Sequence, residues 1–441
     1  MKYDRAPAEA LVGSMRDFRT PKGPNLLERV DGFFQWQNLR RENGLWPLGR
    51  STEAGPRRTC VALDDRGQRM EGVNFASQDY LSLSSNETVM EAAHQAIRDY
   101  GVHSAGSPAL VGNTSVSIAL ERKIAEFLAA EEVVLYPTGW AAGFGAIKGL
   151  VRPDDHILMD ALGHACLQEG AAAATKNVVL FHHNNVEDVR MKLARIRASD
   201  AENGILVVIE ALYSMDSDTP DIAAIQQVCH EFNATLMVDV AHDLGCLGDD
   251  GRGFIGMQDM LGKVDVVMGS FSKTFASNGG FVAFNGRGVK EYLRFYSSPC
   301  TFSNALSPVQ AAIVLKAFEI IESAEGRVLR DKLMRNILGL RNQLARNGLE
   351  VYGDPSAIVC VKMGNEALAR LASRRLPELQ LIANLVEFPA VAKGRARFRM
   401  QVMANHTHED VSHAARRVRL AYEAASAELA QLTQEATRAV A

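Results

Sequence analysis

The chain has 441 residues, 47% of them hydrophobic and 23% charged, with a formal net charge of -4 and a pI near 6.3. This is ordinary globular composition, long enough for more than one packed unit, and it argues against the basic face of a nucleic-acid binder. No apolar run reaches the ~20 residues that span a bilayer. The start MKYDRAPAEA shows no apolar signal region, so a cytoplasmic protein is expected.

Residues 1–68 are polar and charged and read as an N-terminal arm, with an amphipathic helix over 27–41. From about residue 70 short apolar runs alternate with helical stretches. The predicted strands are 132–136, 156–159, 177–181, 204–209, 235–240, 264–268 and 281–284, and 221–232 is a typical intervening helix. Near-continuous Val/Ile/Leu strands joined by helices predict an α/β unit, 69–307, with a mostly parallel sheet buried on both faces. A long helix is expected from Pro308 to about Asn347. Strands at 357–362 and 396–402 and a helix from 408 then complete a smaller α+β domain, so that 308–441 forms the linking helix and C-terminal part. The six cysteines (60, 166, 229, 246, 300, 360) form no C-x-x-C pair, as reduced thiols would.

Ligands of such sheets bind beyond the carboxyl ends of the strands, so the polar residues there carry the functional question. After 132–136 comes Thr138-Gly139-Trp140 at a helix start, where backbone N–H groups suit an anion such as phosphate. After 156–159 comes Asp160-Ala161-Leu162-Gly163-His164, whose histidine is either structural or laid flat on an aromatic ligand. Strand 204–209 runs into Glu210 and then Ser214-Met215-Asp216-Ser217-Asp218. That acidic pair reads more simply as a turn before Pro220 than as a metal site. Strand 235–240 holds Asp239, costly in an apolar strand without a cation or donors, and His242 follows it. Beyond 264–268 the loop GSFSKTF carries Ser270, Ser272 and Lys273. Lys273 is either a solvated loop lysine or an amine desolvated for Schiff-base chemistry. A loop lysine, a buried aspartate, a histidine and a phosphate cradle together meet the needs of pyridoxal 5'-phosphate (PLP).

Over about residues 74–420 the chain resembles the α-oxoamine synthases, a group of fold-type I (aminotransferase class I/II) PLP enzymes. It includes 8-amino-7-oxononanoate synthases, 2-amino-3-ketobutyrate CoA ligases, serine palmitoyltransferases and aminoketone autoinducer synthases. The motifs are NFASQDYLSL, LERKIAEFL, YPTGWAAG, DALGHACLQEG, FHHNN, YSMDSD, DVAHDLG, GSFSKTF, FSNALSP and RFRMQVMANHT, in the family's order. The resemblance implies that Lys273 is the Schiff-base lysine and moves protons at the substrate Cα. It implies that Asp239 keeps the pyridine nitrogen protonated and that His164 stacks on the ring. His242 and Ser214 would hydrogen-bond the phenolic oxygen. Thr138, Gly139, Trp140, Ser270 and Ser272 would form the phosphate side. Ser303 would reach the phosphate of a partner subunit, which makes a homodimer with shared sites. Arg399 would grip the amino-acid carboxylate, and Gln78 stands at a substrate-contacting position. No metal is implied.

The implied reaction condenses a small amino acid with an acyl thioester, carried on CoA or on a carrier protein, normally with loss of CO2, to give an α-aminoketone. The departures from the family lie on the substrate side: Gln78 for asparagine, Ser82 for glycine, Pro108 and Ser117 for arginine and histidine, and Val240 for an acidic residue. They read as altered specificity in a specialised biosynthetic pathway, or as drift. An aminotransferase or aldolase-like lyase on the same fold, and a non-catalytic partner subunit, are the competing readings.

Overall fold

Two seven-stranded sheets organise the computed structural model, which describes residues 6–440. The opening residues 1–5, part of the stretch read for a targeting signal, lie outside these. The described residues group into two units. One holds residues up to Ser77, Met215–Ser217 and the chain from Leu333 on, and the other holds Gln78–Ser214 and Asp218–Lys332.

The larger unit contains a sheet in the order Glu132–Tyr136, Gly280–Phe284, Val266–Ser270, Thr235–Asp239, Ile205–Glu210, His156–Asp160, Val178–Phe181. Gly280–Phe284 runs antiparallel to both its neighbours, and the other six strands share one direction. Every residue of Ile205–Glu210, Val266–Ser270 and Gly280–Phe284 is buried. This is why these strands read as unbroken apolar runs rather than as alternating ones. Helices Gly139–Leu150 and Ala165–Ala174 pack on one face through Ala142, Ala146, Ile147, Leu167 and Ala171. The sheet and its predicted strands are as expected.

The expected helix from Pro308 to Asn347 is two helices, Pro308–Glu322 and Ala324–Arg346. Ser323, at φ −86° and ψ 173°, breaks it, and its Oγ donates to the Ile320 carbonyl. The seam is tight: a side chain at Gly326 would meet the carbonyls of Ile320 and Ile321. The boundary between the two units falls within the second helix.

In the other unit the sheet order is Ser51–Thr52, Thr59–Leu63, Arg69–Phe75, Leu381–Val386, Ala396–Gln401, Ile358–Gly364, Val351–Tyr352. The arm therefore holds more than its predicted helix, found at Asp31–Glu42. Thr59–Leu63 and Arg69–Phe75 form a hairpin, and the second of these pairs in parallel with Leu381–Val386. The long terminal helix spans His408–Val440. Among the described residues no helix is long and apolar enough to cross a membrane.

Candidate active site

Five polar segments leave the same edge of the large sheet, because each follows the carboxyl end of a strand running in the common direction. After Glu132–Tyr136, Thr138 caps the helix Gly139–Leu150: its Oγ1 accepts the Ala141 N–H at 3.0 Å. The first-turn N–H groups of a helix have no intrahelical acceptor, so Gly139 and Trp140 present donors there. The glycine is required by packing, since a Cβ at Gly139 would overlap the Ser270 side chain. Ser270 Oγ lies 2.8 Å from Ser272 Oγ and accepts the Ser272 N–H. Together these place hydroxyls and N–H groups around one spot. The Trp140 ring itself stacks on Phe144, one helical turn on, with centroids 5.1 Å apart.

His164 ends the turn after His156–Asp160 and caps the helix Ala165–Ala174. Its Nδ1 accepts the Cys166 N–H at 3.3 Å and lies 3.0 Å from the Cys166 Sγ. The backbone of His164 favours the charged form of Glu210.

Glu210 stands opposite Asp239 in the parallel register. Both are buried, Asp239 to 6% exposure, and Asp239 Oδ1 accepts the Ala241 N–H at 2.8 Å. Burial raises both carboxyl groups above their usual range. Lys273 and His164 oppose that shift at Asp239, and the Asp239 charge adds to it at Glu210. The neighbourhood thus holds two carboxyls facing the Lys273 amine, and Glu210 Oε1 is buried with no hydrogen-bond partner. Such a cluster has room for one further positive N–H group, which is what a protonated pyridine nitrogen supplies. The residues fit PLP.

Lys273 is half-buried in the turn between Val266–Ser270 and Gly280–Phe284. Phe271 and Phe275 are buried and anchor that turn, and Thr274 is buried as well. His242 Nδ1 lies 2.9 Å from the hydroxyl of Tyr80, which is fully buried. Ser214 is buried after Ile205–Glu210. Gln78 is half-buried just before Asp79, whose carboxylate accepts the Leu83 and Ser84 N–H groups and so shapes the Tyr80 turn. Ser303 lies in a segment tied to the Pro108 loop: the Ala305 N–H donates to the Gly106 carbonyl at 2.8 Å. Arg399 belongs to the other unit, buried on Ala396–Gln401 opposite Cys360 and Asn384. The structure thus gathers Lys273, Asp239 and His164, joins Gly139 to Ser270 and Ser272, and pairs His242 with Tyr80.

Three participants carried no role in the sequence reading: Glu210, Cys166 and Tyr80. Glu210 and Tyr80 were in plain view at a strand end and in the QDYLSL motif, but only cross-strand register and a contact over 162 positions give them a function. Asp216 and Asp218 are no metal pair. Asp216 binds Arg397 at 2.7 Å, Asp218 binds His183 at 2.9 Å, and Ser217 between them is left-handed at φ 58°. Ser117, one of the departures, has its hydroxyl in a capping box with Thr114.

The sequence profile of the family Aminotransferase class I and II matches residues 70–418. Serine palmitoyltransferase of Sphingobacterium spiritivorum is 31% identical over 389 residues, covering 88% of this chain and 94% of that one. The 2-amino-3-ketobutyrate coenzyme A ligase of Salmonella typhimurium is 30% identical, covering 78% and 85%. The structure of serine palmitoyltransferase from S. paucimobilis with PLP and myriocin bound superposes with a TM-score of 0.84 at 26% identity, over 91% of this chain and 100% of that one. The fold and site define a PLP-dependent enzyme of fold type I. The chain belongs to the aminotransferase class I and II family and, within it, to the α-oxoamine synthases.

Proposed function

We propose that this enzyme joins a small amino acid to an acyl thioester, on CoA or a carrier protein, with loss of CO2, and releases an α-aminoketone. The observation that supports it most is the buried carboxyl pair of Asp239 and Glu210 at the strand ends, with Lys273 and His164 acting on Asp239. PLP, when bound, acts as the electron sink for charge that develops at the substrate Cα. Lys273 holds the cofactor through Nζ and moves the proton at the substrate Cα. Asp239 accepts the pyridine N–H and keeps that proton in place. His164, whose Nδ1 is occupied by Cys166, would stack on the cofactor ring. His242, braced by Tyr80, and Ser214 donate to the phenolic oxygen. Thr138 caps the helix whose Gly139 and Trp140 N–H groups, with Ser270 and Ser272, hold the phosphate. Arg399 binds the amino-acid carboxylate through its planar fork, and Gln78 contacts substrate.

The same reading makes the enzyme a homodimer in which Ser303 serves the partner subunit's site. Phe302 beside it is 85% exposed, and Leu110 and Val111 on the joined loop are 82% and 87% exposed. Large apolar side chains so exposed are what a second copy would cover. The altered residues Gln78 and Pro108 point to a specialised biosynthetic substrate pair. The test is a matrix of glycine, alanine, serine and larger amino acids against acyl-CoA and acyl-carrier thioesters, read by free thiol, CO2 and product mass. Thiol and CO2 released together, with the aminoketone mass, is the expected result. Transamination of a keto acid without thioester consumption overturns the proposal.

A further inference from the structure

The FHHNN segment after Val178–Phe181 has no part in the chemistry above, yet His183 is tightly bound. Its Nδ1 lies 2.9 Å from Asp160 Oδ1 and its Nε2 lies 2.9 Å from Asp218 Oδ2. An ionised carboxylate only accepts hydrogen bonds, so a ring bound to two of them carries protons on both nitrogens and is a cation. Asp160 is also tied to the backbone: Oδ1 accepts the Leu162 N–H at 2.8 Å and Oδ2 the Asn184 N–H at 3.0 Å. Its side chain is wholly buried, where a carboxylate needs a paired cation. Tyr213 meets the imidazole edge-on, with centroids 4.5 Å apart. The titratable groups facing His183 are thus Asp160, Asp218 and Tyr213, while its neighbour His182 turns onto Asp188.

We propose that His183 is a permanently charged clamp, a positioning residue that ties the Asp160–His164 turn to Asp218 and so sets where His164 and Ser214 stand. Burial works against the charge, but the hydrogen bonds and attraction of Asp160 and Asp218 outweigh it and push the imidazole up to about 10. The link to Ser214 is short: the Tyr213 N–H donates to the Asp218 carbonyl at 3.0 Å. The link to His164 runs through Asp160, whose carboxylate orders the turn at Leu162 and whose carbonyl accepts the Gly163 N–H. The effect on the cofactor rests on the proposed placing of His164 and Ser214, whereas the charge on His183 does not.

The experiment is nitrogen NMR of the holoenzyme labelled at histidine, with visible circular dichroism of the bound PLP. His183 should show both ring nitrogens protonated through pH 8, and Asp218→Asn should lower its midpoint by more than one unit. A His183 that titrates near the ordinary ~6.5, or that ignores Asp218→Asn, overturns the clamp. His183→Gln should cut the cofactor's visible dichroism at least twofold, and His183→Arg, which keeps a cation for both carboxylates, should restore most of it. Unchanged dichroism in His183→Gln overturns the positioning role. Unchanged dichroism in a His164→Ala variant would instead refute the placing of His164 while leaving the His183 charge intact.

Discussion

Glu210 and Asp239 face each other across two parallel strands, both buried, and differ in what surrounds them. Asp239 has Lys273 and His164 to sustain its charge, whereas Glu210 has burial and the Asp239 charge against it and the backbone of His164 in its favour. Asp239→Asn should therefore retain PLP but lose most exchange of the substrate α-proton, followed by deuterium uptake into glycine. Glu210→Gln, which keeps the shape of the side chain and leaves Asp239 its Lys273 partner, should be mild in the same assay. Full exchange in Asp239→Asn would make that carboxylate merely structural.

Gly139 supports the phosphate side because it lets a helix start come against Ser270. Gly139→Ala forces those backbones apart. PLP dissociation, followed by absorbance during dialysis, should accelerate at least tenfold while the melting temperature of the apoenzyme changes little. Wild-type PLP retention would show that the close approach serves packing alone.

His406 gives the pH dependence of stability a sign. Burial pulls its imidazole down to about 4, with Nε2 at the Asn74 carbonyl and Nδ1 accepting the Met403 N–H. Between the ordinary ~6.5 and about 4 the unfolded chain binds a proton that the folded chain refuses, so stability falls as pH falls through that window. The loss from pH 7 to pH 5 is ~2 kcal/mol. Denaturant unfolding at the two pH values should show it, and His406→Gln should flatten the difference. An equal difference in the variant would assign the acid sensitivity elsewhere.

Arg399→Ala should raise the apparent KM for the amino acid far more than that for the thioester, since removing a buried charged partner costs roughly 2–5 kcal/mol. Gln78→Asn and Pro108→Arg should leave the cofactor spectrum intact while shifting substrate preference across the matrix. Unshifted preference in both would mark these departures as drift.

Much of the site was legible because a parallel sheet sends its functional residues to strand ends, and Asp239, His164 and Lys273 each follow or close an apolar run that is plain in the sequence. What the sequence hid depended on distance. Arg69–Phe75 pairs with Leu381–Val386, some three hundred positions later, and no local pattern carries that pairing. Glu210 read as the edge of an acidic turn until register set it against Asp239. The break at Ser323 interrupts a helical pattern with no glycine or proline at the break itself. Ser82 adopts φ 60°, a backbone position that favours glycine, and nothing in the structure explains the serine there.

The role of Lys273 is read out by reducing the holoenzyme with borohydride and measuring the masses of its peptides. A pyridoxyl mass is expected on the peptide containing Lys273, and none in Lys273→Ala. A label on another lysine, or a protein that stays unlabelled after addition of PLP, would contradict it.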